Sequence, residues 1–525
     1  MRTRDGVRLD ADVYRPVAPG PHPVLLMRQP YGRRIASTVC YAHPSWYAAQ
    51  GYIVVIQDVR GRGTSEGRFR LFEDDIADGA DAVAWAAALP GASGAVGLYG
   101  FSYQGTNQLL AAAAAPPALK ALAPAMLGWD LRRDWAYEGG AFCLQAGLGW
   151  AIQVGAESAR LAGDADGFAA LHAAARVLPL GGVRSARPEV MARYGHHTHY
   201  GAWLDEPADS AYWRRISPCA HAGDARLPML FVGGWYDSHL PGTLAAFRHF
   251  AATGPAQTRL IVGPWGHFPW GRQLGGLDFG AAAVTDIDRL QVRWFDHWLK
   301  GRDDGLLATP PVRLFEMGAN GWRDLPAWPQ RATVLHLAGS GRASVDEADG
   351  RLEPRPPADA GLDRLVHDPW RPAPGTPPGP SDRAAIDART DVLTFTTAPL
   401  ADALRLAGDL AATLWVDSDA PSFDVACVLS RVTPDGRVHP LAQGYRVVGA
   451  TTALPLTVAM RATCASLAPG ERLRLSIAAA AFPSYPVNPG TGQNPTEASL
   501  IDARIITLRL RHGGACASAL HLGIA

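Results

Sequence analysis

Four short apolar runs near the start of the chain, at residues 24–27, 52–56, 96–99 and 119–123, alternate with helical repeats at 74–89 and 107–115. Runs this short and this apolar suit strands buried in a sheet, and their alternation with helices predicts βαβ units and a mostly parallel sheet. That pattern restricts the chain more than any other feature. It predicts an α/β domain whose site lies at the carboxyl edge of the strands. The alternation stops near residue 131. From there to residue 225 the chain is rich in Ala, Trp and Arg with few β-branched runs, which predicts a helical insertion of the kind that forms a lid. Strand, helix and strand resume at 228–233, 242–252 and 258–262, and a helix at 286–299 closes the module.

After residue 301 the character changes. Short alternating or β-branched runs at 312–317, 333–337, 392–396, 411–416, 424–432, 473–477 and 504–510 are divided by Pro and Gly turns. They predict an antiparallel sandwich of jelly-roll type, with the Pro-rich stretch 369–380 as a long connection within it. The expected organisation is an α/β core over 1–130 and 226–301, a helical cap over 131–225, and a β-sandwich over 302–525. No internal repeat is visible.

Composition removes several functions. With 49 basic and 49 acidic residues, there is no cationic excess to displace phosphate counterions, so nucleic acid is not an expected partner. A hydrophobic content of 48% excludes a largely disordered chain. The six cysteines are far apart and form no C-x-x-C, which predicts reduced thiols in a cytoplasmic setting. Met1-Arg-Thr-Arg-Asp-Gly shows no apolar signal segment, and the apolar stretch 109–125 is broken by Pro116 and Pro117 and too short to span a bilayer. No membrane partner and no cofactor or metal is expected, and a homodimer is left open.

The sharpest local signal is Val96-Gly-Leu-Tyr-Gly-Phe-Ser102-Tyr-Gln-Gly105, in which a predicted strand enters a Gly-flanked serine and continues into a helix. A sharp turn of that kind lifts a serine Oγ above the sheet edge, as a nucleophile elbow requires. It departs from plain G-x-S-x-G, because Gln104 holds the second glycine position and Gly105 follows. Asp237 follows the apolar run 228–233, and His267 follows 258–262. Each alone could be a loop aspartate or a core histidine. Together with Ser102 they fall at three strand ends in the order Ser, Asp, His that α/β-hydrolases use.

The chain resembles the CocE/NonD-type serine hydrolases, which include bacterial cocaine esterases, α-amino acid ester hydrolases and X-Pro dipeptidyl-peptidases. The resemblance rests on Arg4-Asp-Gly-Val-Arg-Leu, Gln29-Pro-Tyr31, Gln57-Asp-Val-Arg-Gly-Arg-Gly-Thr-Ser-Glu-Gly67, Gly100–Gly105, Gly234-Trp-Tyr-Asp237, Gly263-Pro-Trp-Gly-His267 and Phe482-Pro-Ser-Tyr-Pro-Val-Asn-Pro-Gly490. It implies an α/β-hydrolase core, an inserted helical cap and a C-terminal jelly roll. It further implies Ser102 as nucleophile, Asp237 as acid and His267 as base. The oxyanion hole would be the Tyr103 backbone N–H and the Tyr31 phenol, and Trp135, Trp150 and His239 would bind substrate.

On this resemblance the expected activity is hydrolysis of small carboxylic esters through an acyl-enzyme, with uncharged or aromatic acyl groups. The alternatives are an aminopeptidase or amide acylase, and a catalytically inactive scaffold that binds a partner. Two other clusters carry less. The Gly61–Gly67 loop lacks the lysine of a phosphate loop and reads as a loop packed near the site. His196, His197 and His199 could bind a metal, but no distant acid can be named from sequence, so a cap loop is the expected role.

Overall fold

The computed structural model describes residues 1–34, 36–223, 226–254, 258–268, 270–375 and 379–524. Among these residues, nine strands form one sheet. Its order is β1 (Ala11–Tyr14), β3 (Ile53–Asp58), β2 (His22–Gln29), β4 (Ala92–Phe101), β5 (Leu119–Ala125), β6 (Met229–Gly234), β7 (Thr258–Gly263), β8 (Val312–Glu316) and β9 (Gly321–Leu325). Strands β3 to β8 run parallel, and the two edge strands are antiparallel. The pleat sends Leu25, Met27, Val54 and Ile56 to one face and Val24, Leu26, Ile53 and Val55 to the other.

Helices cover both faces, which is why these strands read as unbroken apolar runs. On one side Trp294 and Phe295 of α5 (Ile287–Lys300) pack against the sheet. On the other lie Ala82 and Val83 of α1 (Asp75–Ala87), Leu109 of α2 (Tyr103–Ala113) and Phe247 of α4 (Leu240–Thr253). A Cβ at Gly97 would come within 2.6 Å of the Phe295 ring, so the close seat of α5 on β4 needs that glycine.

Between β5 and β6 the chain leaves the sheet for the cap. The cap opens with a π-helical turn over Arg132–Ala136 and a short hairpin pairing Tyr137–Glu138 with Ala141–Phe142. The 19-residue helix α3 (Leu144–Ala162) follows, and shorter helices complete the cap around a core that includes Leu148, Ile152, Trp203 and Trp213. The expected cap boundary at residue 225 lies outside the described residues.

The C-terminal sandwich contains eleven strands between Ala332 and Ile524 among the described residues. Long antiparallel pairs dominate it, such as Ser422–Val432 with Val438–Gly449 and Leu404–Ser418 with Leu456–Leu467. Part of the Pro-rich connection, residues 376–378, lies outside the described residues.

One expectation is corrected. The run at 312–317 was expected in the sandwich, but Val312–Glu316 is β8, parallel to β7 through Val312 opposite Leu260, and β9 pairs with it. The α/β sheet therefore continues past residue 301 to Leu325. Val312, Leu314 and Phe315 are buried, and a short buried run has the same sequence pattern in either sheet. The strand β1 carried no signal because all four of its residues are half-buried. No helix among the described residues is long and apolar enough to cross a membrane.

Candidate active site

Ser102 sits where β4 ends and α2 begins, with φ 61° and ψ −123°. A left-handed φ at a non-glycine residue is strained and is held here by its neighbours. The two glycines of the motif have separate tasks. A Cβ at Gly100 would lie 2.4 Å from the Gln104 Cβ, and one at Gly105 would lie 2.4 Å from the Ala125 carbonyl oxygen. Gly105 is thus the residue that lets α2 pass over the end of β5, which explains its displacement by one position from G-x-S-x-G. The helix starts at Tyr103, four residues before the expected 107, because the elbow leads directly into its first turn.

The loops after β6 and β7 are joined by backbone hydrogen bonds. Trp235 N–H donates to the Gly263 carbonyl at 2.9 Å, and Tyr236 N–H to that of Trp265 at 3.0 Å. This pairing sets Asp237 against His267. His267 Nδ1 lies 2.8 Å from Asp237 Oδ1, and His267 Nε2 lies 2.9 Å from Ser102 Oγ. Asp237 is fully buried, and its Oδ2 has no hydrogen-bond partner. Burial alone would push the Asp237 carboxyl up. The facing His267 and its hydrogen bond outweigh it, and the carboxyl stays below its ordinary value.

These groups open into a cavity of about 1200 Å³. Tyr31, Ser102 and His267 line it from the core, Trp135 and Trp150 from the cap, and Arg446, Met460 and Arg461 from the sandwich. The sequence profile of the X-Pro dipeptidyl-peptidase (S15 family) matches residues 5–269, which contain all three residues of the Ser102–His267–Asp237 chain.

The chain belongs to the X-Pro dipeptidyl-peptidase S15 family.

The profile of the X-Pro dipeptidyl-peptidase C-terminal non-catalytic domain matches residues 305–521. Cocaine esterase from Rhodococcus sp. (strain MB1 Bresler) is 34% identical over 93% of this chain and 91% of its own length. Two solved structures share the fold over the whole chain. One is an aminopeptidase from a marine sediment archaeon, Thaumarchaeota archaeon, with TM-score 0.83, 24% identity and 95% of its own chain covered. The other is an α-amino acid ester hydrolase with TM-score 0.82, 23% identity and 95% of its own chain covered. The protein is a serine ester hydrolase of this S15 and CocE/NonD grouping, with an α/β-hydrolase core, an inserted helical cap and a C-terminal jelly-roll sandwich.

Within this S15 frame the other expected site residues fall as follows. Tyr31 follows β2, and its backbone N–H donates to Gln29 Oε1 at 3.0 Å. Its ring is exposed along the cavity, yet desolvation at the hydroxyl pushes the phenol up to about 12, against the Trp150 hydrogen bond. The Tyr103 side chain points away from the cavity. Its hydroxyl donates to Asp75 Oδ2 at 2.6 Å, and Asp75 pairs with Arg28 at 2.8 Å, a buried network that seats α2. The Tyr103 backbone N–H belongs to the first turn of that helix, where donors have no carbonyl of their own helix to bond.

Trp135 stacks obliquely on Trp150 at 5.2 Å and on His239 at 4.2 Å, and His239 meets His267 edge-on at 4.9 Å. Burial pushes the His239 imidazole down to about 4, so it is neutral at physiological pH. Asp134 also lines the cavity, with its carboxylate accepting the backbone N–H groups of Trp129 and Asp130. Burial raises that carboxyl well above its ordinary value.

The Gly61–Gly67 loop is packed, as expected. Arg62 is buried, its guanidinium donates to the Val154 carbonyl of α3 at 3.2 and 3.3 Å, and it lies 3.9 Å over the Phe69 ring. The histidine cluster divides. His197 Nε2 lies 2.8 Å from Asp164 Oδ2, with His196 alongside. Asp164 is the acid that sequence could not name, and it also caps a helix by accepting the Gly167 N–H at 2.9 Å. His199 is elsewhere, buried between Trp150 and Trp203.

Sequence reasoning missed the sandwich side of the cavity. Arg461 binds Glu138 of the cap hairpin at 2.7 Å, and the Tyr485 hydroxyl donates to the same carboxylate at 2.7 Å. Tyr485 belongs to the 482–490 motif, so the signal for this contact was present without its meaning.

Proposed function

We propose that the protein cleaves small carboxylic esters through an acyl-enzyme formed on Ser102, with His267 as general base and Asp237 as the buried acid. One observation carries this reading: the continuous hydrogen-bonded chain Ser102 Oγ, His267 Nε2, His267 Nδ1, Asp237 Oδ1 at the floor of a large cavity. A serine hydroxyl is a weak nucleophile until a base takes its proton, and the imidazolium so formed needs a buried anion beside it. Oγ bonds to the carbonyl carbon as its proton passes to Nε2, and that proton then goes to the departing alkoxide. A water deprotonated in the same way releases the carboxylic acid and restores Ser102. The Tyr103 backbone N–H and the Tyr31 phenol are the donors we assign to the oxyanion, each such donor being worth about 3 kcal/mol in the transition state.

Trp135, Trp150 and His239 form the acyl side of the site in this reading, and their planar, uncharged surfaces favour uncharged or aromatic acyl groups. The name of the Rhodococcus relative, cocaine esterase, supports ester substrates. We divide the chain accordingly into a core over 1–130 and 226–325, a cap over 131–225, and a sandwich beyond. The test is labelling with a fluorophosphonate probe followed by peptide mapping. Modification at Ser102, lost in Ser102→Ala, is expected together with a kcat lowered by several orders of magnitude. An unlabelled, folded native protein would overturn the reading.

A further inference from the structure

We infer that Trp150 is a positioning residue for the oxyanion contact: its indole N–H holds the Tyr31 phenol so that the phenolic proton is directed at the reacting carbonyl. The inference rests on the oxyanion role proposed above for Tyr31. Trp150 Nε1 lies 3.1 Å from the Tyr31 hydroxyl oxygen. An indole nitrogen can only donate, so in this pair the phenol oxygen is the acceptor. A phenolic hydrogen prefers the plane of its ring and so has two resting directions. The one facing Trp150 is closed by the indole hydrogen. The other remains, and Tyr31 shares with Ser102 the lining of the cavity where the carbonyl would react. Donation into the phenol oxygen also polarises its O–H bond and strengthens it as a donor, as linked hydrogen bonds do.

The indole is itself fixed from several sides. Trp135 packs against it at 5.2 Å, His199 at 4.8 Å and Trp203 at 5.9 Å. His199 makes no hydrogen bond through either ring nitrogen, and burial pushes its imidazole down to about 3, so it serves this stack as a neutral packing group. One helical turn beyond Trp150, the Val154 carbonyl receives the guanidinium of Arg62 from the core. The core thereby sets the height of α3, α3 sets the indole, and the indole sets the phenol. Trp150 thus acts in the reaction as well as forming a wall of the acyl pocket.

The test separates the N–H from the ring, using the full chain at pH 8 with p-nitrophenyl acetate, whose small acyl group makes little use of the pocket wall. Trp150→Phe keeps an aromatic ring and removes the N–H. It is expected to lower kcat by about five- to tenfold with KM within about twofold. In Trp150→His the imidazole Nε2 occupies the place of the indole Nε1 and supplies an N–H without the second ring. Its kcat is expected to stay several-fold above that of Trp150→Phe. Tyr31→Phe is expected to lower kcat by about a hundredfold, and adding Trp150→Phe to it should change kcat by less than about twofold. Multiplicative losses in the double variant, equal kcat in the histidine and phenylalanine variants, or an effect confined to KM would each overturn the inference while leaving Tyr31 in its role. A Tyr31→Phe variant with undiminished kcat would instead overturn the role of Tyr31, and this inference with it.

Discussion

Replacing Asp237 with asparagine isolates the charge of the buried acid from its shape. Asp237 is fully buried, accepts from His267 Nδ1 at 2.8 Å, and leaves Oδ2 without a partner. Asparagine can therefore keep a carbonyl oxygen on Nδ1–H and turn its amide to the unpartnered side, which preserves the imidazole tautomer. What it loses is the anion facing the imidazolium. Unit charges about 4 Å apart at an effective dielectric near 20 attract by about 4 kcal/mol, which corresponds to about three decades in rate. The amide left without an acceptor in a buried site costs a further 1–3 kcal/mol, roughly, of stability. We expect kcat for a p-nitrophenyl ester to fall about a thousandfold at pH 8 with KM changed less than about threefold. The melting temperature should fall by a few degrees while the circular dichroism spectrum is retained. Stopped-flow kinetics with active-site titration would measure both steps. A kcat within about thirtyfold of wild type, in a protein that titrates fully, would show that the Asp237 charge does not act on the chemical step.

Three further outcomes are expected. Asp424 is buried with Asn488 and Tyr445 donating to it, yet burial raises its carboxyl to about 7. The folded state then holds a proton that the unfolded state has lost between about pH 4 and 7. This group's contribution to stability therefore falls as pH rises through that window and is level above it, by up to roughly 4 kcal/mol. Asp424→Asn should gain on wild type in melting temperature from pH 5 to pH 8, and a constant difference would refute this. Glu138→Gln removes the counter-ion of the largely buried Arg461 and should lower the melting temperature by several degrees, since an uncompensated buried cation is costly; an unchanged melting curve would mean solvent screens the pair. Finally, phenylacetate methyl ester should have a kcat/KM roughly tenfold or more above that of phenylglycine methyl ester. The acids that line the cavity are Asp134, raised by burial, Glu138, engaged by Arg461, and Asp409, engaged by Arg248; preference for the amino ester would reveal an ammonium site.

The parts of the molecule that could be read from sequence were those with a short period and a local cause. The signal for the strand, elbow and helix around Ser102 lies in ten consecutive residues, 96–105, and Asp237 and His267 each come shortly after a buried strand. Sheet membership is not local: Val312–Glu316 has no feature of its own that distinguishes a parallel partner of β7 from a sandwich strand. The same holds for Glu138 and Arg461, which meet across 323 residues of sequence. The hydrogen bond from Trp150 to Tyr31 was also out of reach, because it joins the cap helix to a core loop 119 residues away in sequence.

The cavity borrows its far wall from the last third of the chain, and this makes its completion a matter of assembly order. Ser102, Asp237 and His267 all precede β8, whereas Arg446, Met460 and Arg461 follow it by more than a hundred residues. Synthesis from the N-terminus therefore produces Ser102, Asp237 and His267 first and the far wall last, with Glu138 lacking its cation in between. The cavity is enclosed only when the sandwich has docked, so the Ser102–His267–Asp237 chain and the wall that faces it are completed at different moments in the life of one polypeptide.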